Sequence, residues 1–425
     1  MKEWDFLDIS FEGACRQVGR SQFEVACSEA RILLDSGIGN SKTDNLPPAP
    51  KGEIDAIVLS HAHIDHSGFI PTHYRHHPMP LYSTAPTLPL CSLLWEDSMK
   101  VALQNHKPPA FSGKEIRQAE MHFTALPYGE ECELYDGTVI SLHDAGHITG
   151  SAQVIVRSQN KTLLYSGDFN LTESKLHAPA VIPEKGVDAL IMECTYANRD
   201  HPPRKQTEEL FANAVEEALE YGNVLIPAFA VDRTQEILCT LYSQKVQAQY
   251  FIDGMGIRTS AVMGEFPSYF RDYSLLASAL RKAHFVESGS ERKRIAEGRG
   301  KVIIATAGML DGGPALTYME RLNTQGNGVV FLTGFQGADT NGRKLVEKSE
   351  IVDRGRRVKI KLPVRVFDFS AHAGRSQLFE YARETSPEKI FLVHGDAESC
   401  ELLARELSQE GFDASAPAQG GQVSI

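Results

Sequence analysis

The chain has 425 residues, of which 42% are hydrophobic, and a formal net charge of −12. That length can bury more than one core; the lack of any run of about 18 apolar residues excludes a membrane-spanning helix, and the acidic balance excludes a generally nucleic-acid-adhesive surface. Seven cysteines stand singly with no C-x-x-C pair, which excludes a thiolate metal site and a disulfide framework. The acidic start, Met1 to Asp5, runs into a strand-like pattern unlike a signal peptide, so a cytoplasmic location is expected.

In chain order, the first strand signal is Ala30–Leu34, which ends at Asp35. Lys42 to Gly52, with three prolines, reads as a loop. The apolar run from Ile54 to Leu59 then delivers Ser60-His61-Ala62-His63-Ile64-Asp65-His66-Ser67-Gly68, read as a loop leaving a buried strand. Three imidazoles and one carboxylate within six positions cannot all be buried without a partner, because unpaired buried polar groups are costly. A divalent metal is the natural partner. Nitrogen and carboxylate donors without thiolate suit zinc best, with manganese or iron admitted. His73, His76 and His77, after Pro71, read as surface loop residues, and His106, His122, His143, His177, His201 and His284 are assigned no role.

Further strand-like runs end in groups able to do chemistry. Thr138–Leu142 leads to Asp144-Ala145-Gly146-His147, Thr162–Tyr165 to Ser166-Gly167-Asp168, Ala189–Met192 to Glu193, and Lys389–Val393 to His394. Six strands delivering polar groups in this way predict one site along one edge of a sheet. The gap before the last of them is too long for a loop and has an α/β pattern of its own. Residues 207–221 place Leu210, Phe211, Ala214, Val215, Ala218 and Leu219 at helical spacing, and Thr234 to Ser243 read as a helix. Strands are predicted at Asn223–Ile226, Tyr250–Ile252, Val302–Ile304 and Val329–Leu332, in a parallel or mixed sheet. A second domain of about 160 residues is therefore expected inside the first. Helices at 376–384 and 398–410, the latter capped by Gly411, complete the first domain.

His61-Ala62-His63-Ile64-Asp65-His66, Gly146-His147, Gly167-Asp168 and His394 resemble the metal-binding motifs of the metallo-β-lactamase fold. The long insertion, with Glu193 before it and Ser370-Ala371-His372-Ala373 after it, resembles the β-CASP nucleases. Pro227-Ala228-Phe229-Ala230, Arg233, Gly308-Met309 and Gly334-Phe335-Gln336 extend the resemblance over essentially the whole chain. Two segments depart from the family's usual pattern, Asp253-Gly254-Met255-Gly256 and Thr306-Ala307, and both bear on RNA contact rather than metal chemistry.

The resemblance implies an α/β fold: an αββα metallo-β-lactamase sandwich (1–205 and 369–425) with an inserted α/β β-CASP domain (206–368). It implies two zinc ions, one on His61, His63 and His147 and one on Asp65, His66 and His394, with Asp168 bridging. Asp65 would also orient the nucleophile, and Asp35 would orient a ligand histidine unless it is an ordinary turn residue. His372, held protonated by Glu193, is the candidate general acid. Arg233, Gly308, Met309, Phe335 and Gln336 are the candidate RNA phosphate contacts. The basic stretches Arg292–Arg294 and Arg354–Arg357 read as solvated faces or as tracks for an RNA backbone. The implied activity is two-metal hydrolysis of single-stranded RNA, endonucleolytic with a 5′-exonuclease activity admitted, away from membranes and with a homodimer admitted. A small-molecule hydrolase of thioesterase or lactamase type and a non-catalytic RNA-binding paralogue are the alternatives.

Overall fold

The computed structural model describes residues 7–27, 29–39, 45–75, 77–337 and 339–425. The acidic N-terminal segment, the start of the proline loop at Lys42 and His76 lie outside them. The chain divides into two compact units. One comprises residues 1–172, 179–200 and 371–425; the other comprises 173–178 and 201–370.

The first unit is built on two seven-stranded sheets. In the first, strands Gly421–Ser424, Asp8–Phe11, Phe23–Cys27, Ala30–Leu34, Ala56–Val58, Leu81–Ser83 and Phe123–Ala125 lie side by side. In the second the order is Asp413–Ser415, Lys389–Val393, Ala189–Glu193, Lys161–Tyr165, Ala152–Ser158, Val139–Asp144 and Glu131–Glu133. Side-chain alternation assigns the two faces of each strand. Ala189, Ile191, Phe391 and Val393 join Ile9, Phe23, Ile32, Leu34 and Val58 in one core between the sheets. Their neighbours Leu190, Met192, Ile390 and Leu392 pack instead on Leu378, Tyr381, Leu403 and Leu407, from the helices Arg375–Thr385 and Ala397–Gln409. Burial on both faces explains why these strands read as continuous apolar runs. Gly411, at φ +98, follows the last turn of the second of those helices.

The second unit carries a six-stranded, wholly parallel sheet in the order Ala283–Phe285, Gln249–Asp253, Lys301–Ala305, Asn223–Pro227, Gly328–Leu332 and Val364–Val366. Leu225, Ile303, Val330 and Leu332 meet Tyr318, Met319 and Leu322 of the helix Gly313–Gln325. A separate two-stranded ribbon, Glu350–Asp353 with Arg356–Lys359, packs Ile351 into the same core.

Several expectations are corrected. The six functional strand ends belong to two sheets, because Ala30–Leu34 and Ala56–Val58 lie in the first and the other four in the second. Ile64–Ser67 is one turn of helix rather than loop, with the Ser67 N–H donating to the His63 carbonyl. Leu210 is 56% exposed on the outer side of a helix that begins at Arg204, three residues earlier than predicted. His73 is not a surface residue: it lies half-buried in the turn Ile70–His73, with Nε2 2.9 Å from Ser36 Oγ. Among the described residues no helix is long and apolar enough to cross a membrane.

Candidate metal centre

The side chains of the first unit's site enter from strand ends and from the single helical turn, except His372, which precedes the helix Arg375–Thr385. Left-handed backbone at Asp35 (φ +57), Gly167 (φ +55) and His394 (φ +53) turns the chain where a strand stops. At Gly167 a Cβ would lie 2.9 Å from the Ala152 carbonyl oxygen and 3.1 Å from Ser60 Cβ, so glycine lets Asp168 approach the histidine segment. The turn Ile64–Ser67 is held by main-chain bonds from Ser21 N–H to the Asp65 carbonyl and from Ser36 N–H to the His66 carbonyl, both 2.8 Å.

The side chains converge in three overlapping groups. His61, His63, His147 and Asp168 form one, Asp65, His66 and His394 a second, and Asp168, Glu193 and His372 a third, with the ligand atoms of each within 4.8 Å of one another. Asp168 touches the first two: its Oδ2 lies 3.6 Å from His61 Nε2 and 3.3 Å from His66 Nε2, and its Oδ1 lies 3.4 Å from His394 Nδ1. His63 Nδ1 faces His147 Nε2 at 3.1 Å, and His66 Nε2 faces His394 Nε2 at 3.3 Å.

Partners on the far side of each ring fix its direction. His66 Nδ1 donates to Asp35 Oδ2 at 2.7 Å, and His147 Nδ1 donates to the Ala371 carbonyl at 2.8 Å. Ser60 Oγ donates to Asp35 at 2.7 Å and so accepts from His61 Nδ1 at 3.0 Å. Thr195 Oγ donates to the His394 carbonyl and accepts from His394 Nδ1 at 3.2 Å. Four imidazoles therefore turn Nε2 inward. The sequence reading anticipated an orienting role for Asp35 alone. Ser60, Tyr165 and Thr195 were missed, because hydroxyl residues at strand ends are common and their bonds join segments far apart in the chain.

The donor set suits cations. His61 Nε2 and Asp168 Oδ1 are buried and lack a hydrogen-bond partner, a costly arrangement unless a bound group satisfies them. Burial pushes His61, His63 and His147 toward the neutral form that ligates a metal. Burial opposes ionisation of Asp168, but His394, His66 and His372 outweigh it and hold the carboxyl well below the usual range. Asp65 is lowered in the same sense, by His394 and His66 against burial.

Beside these groups, His372 Nδ1 lies 3.0 and 3.1 Å from the two Glu193 oxygens and 3.9 Å from Asp168 Oδ2. Glu193 is 1% exposed and also accepts from the Phe169 N–H at 3.0 Å. Burial disfavours the charged imidazole, yet Glu193 and Asp168 prevail and push it up to about 9.

The second unit brings the RNA-contact candidates to the ends of its parallel strands. Gly308-Met309 follow Lys301–Ala305, and Gly334-Phe335-Gln336 follow Gly328–Leu332. Gln336 Nε2 donates to the Gly308 and Gly334 carbonyls at 3.2 and 3.1 Å, so its amide ties the two loops together. Phe335 is 39% exposed, Met309 is half-buried, and Arg233 opens the helix Arg233–Ser243. Arg292 is committed to the buried Asp253 through two 2.7 Å bonds, which removes it from the basic tracks read in the sequence.

A metallo-beta-lactamase superfamily domain matches residues 25–192, a Beta-Casp domain 234–345, and a Zn-dependent metallo-hydrolase RNA specificity domain 357–417. "Probable RNase MJ4" of Methanocaldococcus jannaschii is 34% identical over 99% of this chain and 100% of its own. The chain belongs to the β-CASP family of metallo-β-lactamase-fold metallohydrolases. A second β-CASP relative, "RNase aCSPSF2" of Saccharolobus solfataricus, is 37% identical over 97% of this chain and 84% of its own. "Transcription termination factor FttA" of M. jannaschii is 32% identical over 93% and 68%. A crystal structure of a protein of unknown function from Enterococcus faecalis V583 shares the fold, with a TM-score of 0.64 at 13% identity over 99% of this chain and 100% of that one.

Proposed function

We propose that the protein is a metal-dependent ribonuclease that hydrolyses phosphodiester bonds of single-stranded RNA. The observation that carries this reading is the convergence of seven ligand-type side chains, five of them buried and His63 and Asp65 half-buried, with His61 Nε2 and Asp168 Oδ1 unsatisfied, next to the Glu193–His372 pair. The β-CASP relatives named as RNases support RNA as substrate. His61, His63 and His147 would hold one divalent cation and Asp65, His66 and His394 another, with Asp168 shared between them; zinc fits the nitrogen-rich donors best. Cations held there would supply polarisation of the phosphodiester and activation of water.

The protein's own groups supply the remaining parts. Asp35, Ser60, Thr195 and the Ala371 carbonyl hold the imidazoles in one tautomer. Asp65 orients the nucleophile. His372, charged at neutral pH because Glu193 faces its Nδ1, donates a proton to the departing oxygen. In the second unit, Arg233, Met309, Phe335 and the Gly308 and Gly334 loops would contact the RNA chain, with Gln336 bracing those loops. Cleavage is endonucleolytic in this reading, with 5′-exonucleolytic trimming as a second mode, and the enzyme works in the cytoplasm. The domains extend over 1–205 with 369–425, and over 206–368.

The test is to incubate the zinc-loaded protein with matched 5′-labelled RNA and DNA oligonucleotides and map the products. RNA cleavage that disappears in Asp65→Ala is expected. Equal cleavage of both polymers would sink the assignment to RNA, and a purified protein without any transition metal would favour a non-catalytic binding role.

A further inference from the structure

The two-stranded ribbon of the second unit carries a charge pattern that the metal centre does not explain. Residues 354–361, Arg-Gly-Arg-Arg-Val-Lys-Ile-Lys, hold five cations and no acid, and 341–361 hold eight cations against three acids, in a chain of net charge −12. Arg354 and Gly355 form its two-residue turn, at φ +46 and +76. Turns of this kind favour Asn, Asp or Gly at the first position. An arginine there brings its Cβ close to the following carbonyl oxygen, so turn chemistry does not account for it. Its side chain is 89% exposed, and among the described residues its ion-pair neighbour is Asp353 at 4.0 Å.

The rest of the ribbon orders the charges. Ile351 pairs with Val358, and both face the core, which sends Arg357 and Lys359 to the opposite face. The Ile360 N–H bonds the Ser349 carbonyl, extending the ladder, so Lys361 continues that face. Cations therefore repeat there at about 6.8 Å, two strand residues apart. Glu350 lies opposite Lys359 on this face, and Lys359 Nζ donates to the Lys348 carbonyl at 3.0 Å. Arg356, Arg357 and Lys361 are exposed and have no acidic partner within ion-pair distance among the described residues. Asn341 clamps the ribbon's main chain, accepting from the Val352 N–H and donating to the Val352 carbonyl.

We propose that this ribbon is a grip for the RNA backbone, an interaction surface separate in chemistry from the metal centre. It rests on the ribonuclease reading, because the exposed cations at the ribbon's turn and along its second strand, Arg354, Arg356, Arg357 and Lys361, are complementary to a polyphosphate chain. Single-stranded RNA contacts reduce log K by about 0.7 per neutralised phosphate for each decade of salt. The triple variant Arg354→Gln/Arg356→Gln/Arg357→Gln should therefore lose about 2 from the salt slope of binding to a fluorescent single-stranded RNA. With the two salt plots meeting near about 1 M, its Kd at about 0.1 M salt should rise roughly 100-fold, with melting temperature and zinc content those of the parent. The Arg→Lys triple variant should restore the slope. An unchanged slope in the Gln variant, with a parent that cleaves RNA, overturns the grip and leaves the nuclease reading standing. A parent that neither binds nor cleaves RNA overturns both. Loss of binding to phosphatidylserine vesicles with an unchanged RNA slope would assign the ribbon to a lipid surface instead.

Discussion

Asp35→Asn tests how the site is held together. Asp35 is fully buried and accepts four bonds, each 2.7 Å, from Ser60 N–H, Ser60 Oγ, Tyr165 OH and His66 Nδ1. Asparagine keeps the shape but must present an NH₂ to some of these donors. Turned toward the Ser60 N–H, which cannot reverse, it leaves buried donors facing each other at a cost of about 1–3 kcal/mol. Turned the other way, the two hydroxyls can rotate to accept, but His66 must give up its Nδ1 proton and carry it on Nε2, the nitrogen facing His394 and Asp168. Either outcome impairs cation binding, and loss of an orienting carboxylate typically costs about 10–100-fold in metal affinity, or about 1.4–2.8 kcal/mol. Asp35→Ala leaves all four donors without their acceptor and should cost about 4 kcal/mol or more in folding stability. Zinc affinity measured by competition with a chromophoric chelator, beside urea denaturation of the apo-protein, checks both. An Asn variant that binds zinc as tightly as the parent refutes the orienting role.

Three further outcomes are expected. His372→Ala should slow RNA cleavage about 10²–10⁴-fold with zinc retained; because the parent imidazole is pushed up to about 9, parent activity should fall as pH rises through that value, and the variant should lack this limb. His66 is raised well above its ordinary value, burial being outweighed by Asp168 and Asp35, so the extra proton sits on Nε2. Zinc must displace it, so isothermal titration in buffers of different ionisation enthalpy should show proton release and an affinity that weakens as pH falls. Burial, with His77 adding, lowers His73 from 6.5 to about 4. Its folded pKa lies below the unfolded one, so stability is fully present above about pH 6.5 and is lost as pH falls toward about 4, by up to roughly 3 kcal/mol. His73→Gln should flatten that acid loss in thermal melts, and an unchanged profile would show that His73 is protonated in the fold.

Local chemistry was legible in the chain because it is carried by neighbours. The six residues from His61 to His66 announce a cation site wherever they fold, since so many donors on one segment cannot be buried unpaired. Apolar runs gave six strands of the first unit and four of the second, because burial on two faces leaves a continuous hydrophobic record, whereas short strands such as Leu81–Ser83 and Val364–Val366 left none. Other features depend on segments far apart in sequence, which no local pattern encodes. Division of the strands between two sheets rests on pairings such as Ala189–Glu193 with Lys389–Val393, some 200 residues away. The partners that fix each imidazole, such as Tyr165 on Asp35 or the Ala371 carbonyl on His147, lie 130 and 224 residues from the groups they touch. Folding alone separated Arg292, consumed by a buried aspartate, from the arginines of the ribbon, because a charged run reads alike whether or not an acid waits across the fold.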